Sequence, residues 1–124
     1  MKVTMTEAIC KEGMALLEDK ARIFVAHDAH PHNYLDQLKD TDMFIVRVAD
    51  KGAVDKETMQ SSPALKVIGR PGIGYDSVDV ETATRLGIPV VVTPGANNRS
   101  VAEHAVTLML ALSKNMIEAD AEHR

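Results

Sequence analysis

Glycines at positions 69, 72 and 74 follow the apolar pair Val67-Ile68, with Arg70 and Pro71 between the first two and Tyr75-Asp76 after the last. Glycine lets a backbone turn sharply and lets a ligand approach without a Cβ in the way, so this spacing suits amides that converge on a small anion. The first reading such a loop invites is the dinucleotide fingerprint G-x-G-x-x-G. That reading fails: after Gly72 and Gly74 the third position holds Ser77, and Pro71 sits inside the turn. The segment beyond is short, where a pyrophosphate site needs a long helix. The loop is therefore read as a seat for a carboxylate or similar group.

Two more residues belong with it. Arg47 closes the apolar run Met43–Val46, and Asn97 lies in Thr93-Pro94-Gly95-Ala96-Asn97-Asn98 after the run Ile88–Val92. Arginine stays charged and grips carboxylates bidentately. Taken singly, each has a plainer explanation: a surface ion pair for Arg47, a tight turn for the glycines, a loop tolerant of unusual backbone angles for the asparagines. Their coincidence after three strands favours an anion site, because ligands of open α/β sheets bind beyond the carboxyl ends of the strands. His27-Asp28-Ala29-His30-Pro31-His32 crowds imidazoles and a carboxylate, yet Pro31 disfavours a helical frame for tetrahedral ligation, and a solvated loop is the expectation. His104 reads as a structural or interface histidine and Ser100 as a helix cap; no nucleophile–base–acid set is present.

The elements that must position these residues follow from the apolar pattern. Runs at Val3–Thr6, Arg22–Ala26, Met43–Val46, Lys66–Ile68 and Ile88–Val92 recur roughly every 20 residues, the repeat of a strand plus a crossover helix. Between them, helices are expected over Ala8–Leu17, with Ile9, Leu16 and Leu17 on one face, over Asn33–Leu38 and over Asp55–Gln60, with Asn33 and Asp55 as N-caps. A further helix starts at Asp79 and ends at Leu86, with Gly87 in the left-handed position. Solidly apolar strands such as Met43–Val46 and Pro89–Val92 are expected to be covered on both faces. The fold class is α/β: a flavodoxin-like, doubly wound, five-stranded parallel sheet.

The last helix differs. Ser100 and Glu103 form a capping box, and Val101, Ala105, Leu108 and Leu112 make an apolar stripe widened by Ala102, Val106, Met109 and Leu110. A helix apolar nearly all round must be buried on more than one side, and one small domain covers only one of them. Another domain, another subunit, or both must cover the rest.

The totals set outer limits. With 124 residues, 45% hydrophobic and 26% charged, the chain can bury a core of its own. A net charge of -4 and 3% aromatics argue against nucleic acid. The single Cys10 forms no internal disulfide, and no apolar stretch approaches the ~20 residues of a membrane span, so a cytoplasmic protein without membrane contact is expected.

The block Leu65-Lys66-Val67-Ile68-Gly69-Arg70-Pro71-Gly72-Ile73-Gly74-Tyr75-Asp76-Ser77-Val78-Asp79 resembles the D-isomer-specific 2-hydroxyacid dehydrogenases. So do Gly87-Ile88-Pro89-Val90-Val91-Val92-Thr93-Pro94-Gly95-Ala96-Asn97 and Ser100-Val101-Ala102-Glu103-His104. The strand end Phe44-Ile45-Val46-Arg47 points to the D-3-phosphoglycerate dehydrogenase branch. The resemblance implies a substrate domain built from both chain ends around an inserted nucleotide-binding domain. Residues 1–98 would be its N-terminal part, and 99–124 the crossover helix, which also packs in a homodimer.

It further implies that amides at Ile73 and Gly74 hold the substrate carboxylate, with Arg47 and Asn97 assisting, and that Ile73 and Val101 lie against the nicotinamide. The cofactor would be NAD, with NADP open, bound mainly by a domain beyond residue 124, where the family's catalytic Arg, Glu and His also lie. The substrate would be a small 2-hydroxy or 2-oxo acid, and this chain alone would lack turnover. Pro71, Tyr75 and Arg99 depart from the family pattern, and the last two would narrow or recharge the substrate rim. The rival class is a self-contained flavodoxin-like binding or signalling module. A phospho-receiver needs Asp and Lys where Arg47 and Thr93 stand, and a flavin carrier needs a hydroxyl- and glycine-rich cradle where Glu7-Ala8-Ile9 stands.

Overall fold

A computed structural model describes residues 1–47 and 49–122. The chain divides into two compact units, Met1–Pro94 and Gly95–Arg124. The first holds five strands, β1 (Lys2–Met5), β2 (Arg22–Val25), β3 (Met43–Ile45), β4 (Val67–Arg70) and β5 (Val90–Val92). All pair in parallel in the order β2-β1-β3-β4-β5. That order is the flavodoxin-like one, with its topological switch point between β1 and β3. The expected fold class is the one observed.

Alternation along the strands sends side chains to two faces. Phe44, Val46 and Ile68 join Leu38, Val54, Met59, Leu65, Val78, Ala83 and Ile88 in a buried cluster on one face. The helices there are α2 (Leu35–Leu38), α3 (Lys56–Gln60) and α4 (Val80–Arg85). Val3, Met5 and Ile45 face the other way, under Ile9, Met14 and Leu17 of the segment that enters α1 (Lys11–Glu18). Beside Phe44, the Tyr34 ring meets it edge-on with centroids 6.5 Å apart.

Several local expectations change. Helix α1 starts at Lys11 rather than Ala8; Ile9 and Leu17 pack on the sheet as expected, but Leu16 is exposed and Met14 takes its place. Ile9 lies across Gly13, where an added Cβ would meet Ile9 Cδ1 at 2.7 Å. Asn33 is no N-cap: it lies within a 3₁₀ turn at Pro31–Tyr34, and its Nδ2 donates to Asp28 Oδ2 at 2.9 Å. Asp28 also accepts from the His30 N–H, and these two bonds hold its carboxyl below the usual aspartate range. The strand β5 is an edge strand with Val91 54% exposed, so it is covered on one face, not two. The reason is that α1 packs over β2, β1 and β3, and the cluster beneath it includes no residue of β5.

Asp55 and Asp79 cap as expected, accepting from the N–H groups of Thr58 and Thr82 at 2.9 and 3.0 Å. Gly87 adopts φ +72°, the left-handed stop after α4.

The second unit holds α5 (Asn98–Ser113) and α6 (Met116–Glu122), separated by Asn115 at φ +48°. Asn97, not Ser100, occupies the N-cap position of α5. Ser100 is the third helical residue and Glu103 accepts from Arg99 Nε at 2.8 Å, so no capping box forms. The turn at Gly95, with φ +77°, starts the helix three residues earlier than the box requires. No described residue of α5 or α6 is buried within the unit, and Leu108, Met109, Leu110 and Leu112 are half or more exposed. Among the described residues, no helix is long and apolar enough to cross a membrane.

Candidate anion site at the carboxyl ends of the strands

Parallel pairing sets the ends of β1, β3 and β4 side by side on one rim, and the residues that follow each strand are Thr6-Glu7, Val46-Arg47 and Pro71-Gly72. The glycine loop is pinned at both ends. It leaves β4 at Arg70 and returns at Val78, which forms a parallel bridge with Val54. Val54 and Val78 each immediately precede a helix cap, Asp55 and Asp79, so α3 and α4 begin together and hold the far end of the loop.

Between these anchors five of the loop's carbonyls accept hydrogen bonds. Gly72 O accepts from the Thr93 N–H at 2.9 Å, Tyr75 O from Val78, Asp76 O from Gly52 and Ser77 O from Val54. Pro71 O accepts from Arg70 Nη1 at 3.2 Å. The N–H groups of Gly72, Ile73 and Gly74 meet no acceptor among the described residues, and Ile73 and Gly74 are exposed. Adjacent backbone N–H groups free of internal partners form a nest able to hold an anion.

None of Gly69, Gly72 and Gly74 has a positive φ, so left-handed freedom is not what the loop uses. The missing Cβ leaves room instead: at Gly74 it would sit 3.4 Å from Asp76 Oδ1, and at Gly72 2.9 Å from Arg70 Nη1. Carbonyl anchoring, rather than glycine torsion, makes the turn.

Arg47 stands two residues beyond the end of β3. Its backbone N–H donates to Thr6 Oγ1 at 2.9 Å, and its Nη1 is shared between Glu7 Oε2 at 3.3 Å and Ala8 O at 3.1 Å. Arg47 is thus drawn across the switch point to the segment after β1. Glu7 has no local sequence signal for this role; alone it marks only a loop unsuited to flavin.

From the sequence, Arg70 lies within the glycine motif, beyond a strand expected to end at Ile68. The structure extends β4 to Arg70 and leaves its Nε buried without a partner. Its Nη1 bends over Gly72. The signal was present in the sequence: a cation directly before Pro71-Gly72, at the point where β4 must end.

The other candidates lie as follows. Ile73 presents an exposed apolar side chain on the loop, beside Gly74. Asn97 and Val101 belong to the second unit, Asn97 before α5 with no side-chain cap bond and Val101 in its first turn, 58% exposed. Tyr75 is 57% exposed, and Arg99 is paired within its own helix to Glu103. In the histidine loop, His30 Nδ1 lies 3.4 Å from Asp50 and His32 lies between Asp55 and Glu57, at 3.2 and 3.7 Å. Among the described residues, no three His, Cys, Asp or Glu side chains converge on a metal-holding geometry.

The residues present would fit only one end of a dinucleotide. Ile73 offers exposed apolar surface to a ring, but α4, which follows the loop, has six residues and is preceded by Asp79, a poor neighbour for phosphates.

A family model for the D-isomer specific 2-hydroxyacid dehydrogenase catalytic domain matches residues 3–122. The chain is 37% identical over 121 residues to a D-3-phosphoglycerate dehydrogenase of Methanocaldococcus jannaschii, covering 98% of this chain and 23% of that protein. It is 37% identical over 123 residues to a glyoxylate reductase of Thermococcus litoralis, covering 97% of this chain and 37% of that protein. Among solved structures it is similar to the NAD+-bound 3-phosphoglycerate dehydrogenase of Entamoeba histolytica, at 27% identity and a TM-score of 0.72, covering 90% of this chain and 38% of that one. The chain therefore spans well under half the length of these relatives. With the sheet order, the glycine loop and a match over nearly all of its length, the chain belongs to the D-isomer specific 2-hydroxyacid dehydrogenase family, within its catalytic domain.

Proposed function

We propose that this chain is the N-terminal substrate-domain portion of an NAD-dependent D-2-hydroxyacid dehydrogenase. Residues 1–98 hold the substrate, and 99–124 lead toward a nucleotide-binding domain. The single observation that carries the reading is the glycine loop, in which the carbonyls of Gly72, Tyr75, Asp76 and Ser77 are bound while the N–H groups of Ile73 and Gly74 are left for a ligand. These amides receive the carboxylate of a 2-hydroxy or 2-oxo acid, and Arg70 adds the nearby positive charge. Anchoring at Thr93, Gly52 and Val54 means that little reorganisation is needed when the anion arrives.

Asn97 and Arg47 contact the rest of the substrate, and Ile73 and Val101 exclude water from the nicotinamide side. NAD, with NADP as the alternative cofactor, supplies or accepts the hydride exchanged with C2 when bound. The acid–base and carbonyl-polarising groups are contributed by sequence outside this chain. The exposed apolar residues of α5 serve a homodimer interface, and the protein works in the cytoplasm without nucleic acid or membrane contact.

Amide NMR of the purified chain tests this. Glyoxylate is expected to shift the Ile73 and Gly74 resonances selectively, while NADH-dependent reduction of hydroxypyruvate by the same sample stays at background. Unmoved loop amides, or turnover by the chain alone, would overturn the reading.

A further inference from the structure

Resting on the reading of the glycine loop as a carboxylate seat, we infer that Glu7 is a specificity-determining residue. By holding Arg47 it selects 2-hydroxy and 2-oxo acids that carry no second anionic group. Arg47 follows β3 and Glu7 follows β1, the two strands at the switch point, so their ion pair spans the crevice in which ligands of this sheet topology bind. Arg47 Nη1 is already shared between a carboxylate oxygen and the Ala8 carbonyl, and its backbone N–H is taken by Thr6. All three acceptors belong to one segment, residues 6–8, and those of Glu7 and Ala8 orient the guanidinium toward the segment after β1.

The charge count on the rim follows. The Arg47–Glu7 pair is neutral, and Arg70 has no carboxylate partner among the described residues. One open cation and one amide nest match one carboxylate. A substrate with a phosphate or second carboxylate would have to displace Glu7 from Arg47 and then lie beside the displaced charge. A nearby like charge works against such a ligand more than it works against a monoanion. The relatives named above include both kinds, a phosphoglycerate enzyme and a glyoxylate enzyme, and the Glu7–Arg47 contact assigns this chain to the unphosphorylated class.

The test uses a matched pair that differs only in the phosphate, D-glycerate and D-3-phosphoglycerate, titrated into the chain while the Ile73 and Gly74 amides are followed. The unsubstituted chain is expected to bind glycerate at least as tightly as phosphoglycerate. In Glu7→Gln the ratio of phosphoglycerate to glycerate affinity should rise at least tenfold, and adding Arg47→Met should abolish that rise. Glu7→Asp should restore the original preference at least in part, which a merely structural role for Glu7 would not produce.

If neither ligand moves the loop amides, the carboxylate-seat reading fails and takes this inference with it. If glycerate moves them but the ratio in Glu7→Gln stays within twofold, the Glu7 inference alone is overturned. Tighter binding of phosphoglycerate by the unsubstituted chain would overturn it as well.

Discussion

Arg47 Nη1 lies 3.3 Å from Glu7 Oε2, across the switch point between β3 and β1. Both side chains are about half exposed, at 53% and 41%. An ion pair in that setting contributes on the order of 0.2–1 kcal/mol to folding, since water already solvates both charges. Its contribution to stability is therefore too small to account for it. A double-mutant cycle of Glu7→Gln and Arg47→Met on urea unfolding should give a coupling energy below about 1 kcal/mol. A coupling of several kcal/mol would mark the pair as a structural clamp instead.

The glycines separate into two kinds that substitution should distinguish. Gly87 has φ +72°, so Gly87→Ala forces a left-handed backbone and should lower stability by ~1–2 kcal/mol. Gly74 has no such torsion and a Cβ there meets only Asp76 Oδ1 at 3.4 Å, so Gly74→Ala should fold normally. The new methyl would stand over the free amides and weaken glyoxylate binding about tenfold, equivalent to ~1.4 kcal/mol. Thermal melts and the amide titration together read both effects.

Acid should unfold the protein by releasing its caps. The carboxyl of Asp79 is held below 3.8 by the Thr82 hydroxyl and N–H. That of Asp55 is held below 3.8 too: burial pushes it upward, but the Thr58 and His32 contacts outweigh that. A depressed folded-state pKa means the unfolded chain binds the proton more readily. The stabilisation is therefore complete above the unfolded value and is lost as pH falls through the lower folded value. Melting temperature should respond little to these groups between neutrality and about pH 5, then fall below about pH 4. Asp79→Asn, which keeps an acceptor but cannot titrate, should flatten that fall. At neutral pH, Asp55→Ala should cost about 1 kcal/mol through the lost cap.

Phe44 is completely buried in the larger cluster and meets the Tyr34 ring edge-on. Phe44→Ala should cost ~3–5 kcal/mol. That is a large share of the roughly 5–15 kcal/mol available to a domain, so the variant should be largely unfolded or melt far below the parent.

Apolar residues on α5 should drive association. Leu108 is 50% and Leu112 74% exposed, with Met109 and Leu110 beside them. Sedimentation of the chain is expected to show concentration-dependent dimers, and Leu108→Lys with Leu112→Lys should shift the population to monomer. A concentration-independent monomer would count against the helix as an interface.

Much of the fold was legible because a parallel strand buried on both faces must be continuously apolar. Met43–Val46 could be recognised from its residues alone, and Asp55, Asp79 and Gly87 declare helix ends through chemistry that acts within a few residues. Asn33 misled because the same short side chain serves a cap or a loop equally well, and Asp28, five residues earlier, took it. Ser100 misled in the same way: its capping-box spacing was right, but the turn at Gly95 had already started the helix. Full coverage of β5 could not be judged from Val90–Val92, because burial of a strand depends on where helices elsewhere lie.

The sequence by itself determined a five-stranded α/β sheet, the family, and a glycine loop that is not a dinucleotide fingerprint. Each of these is written in local periodicity or contiguous motif. Only the tertiary structure decided that the carbonyls of Gly72, Asp76 and Ser77 are tied while the N–H groups of Gly72, Ile73 and Gly74 stay free, because those ties run to Thr93, Gly52 and Val54 on other segments. It also decided that Arg47 is held by Glu7, 40 positions away in the chain. An electrostatic partner is set by distance in space, and the parallel pairing of β1 with β3 brings these two residues together.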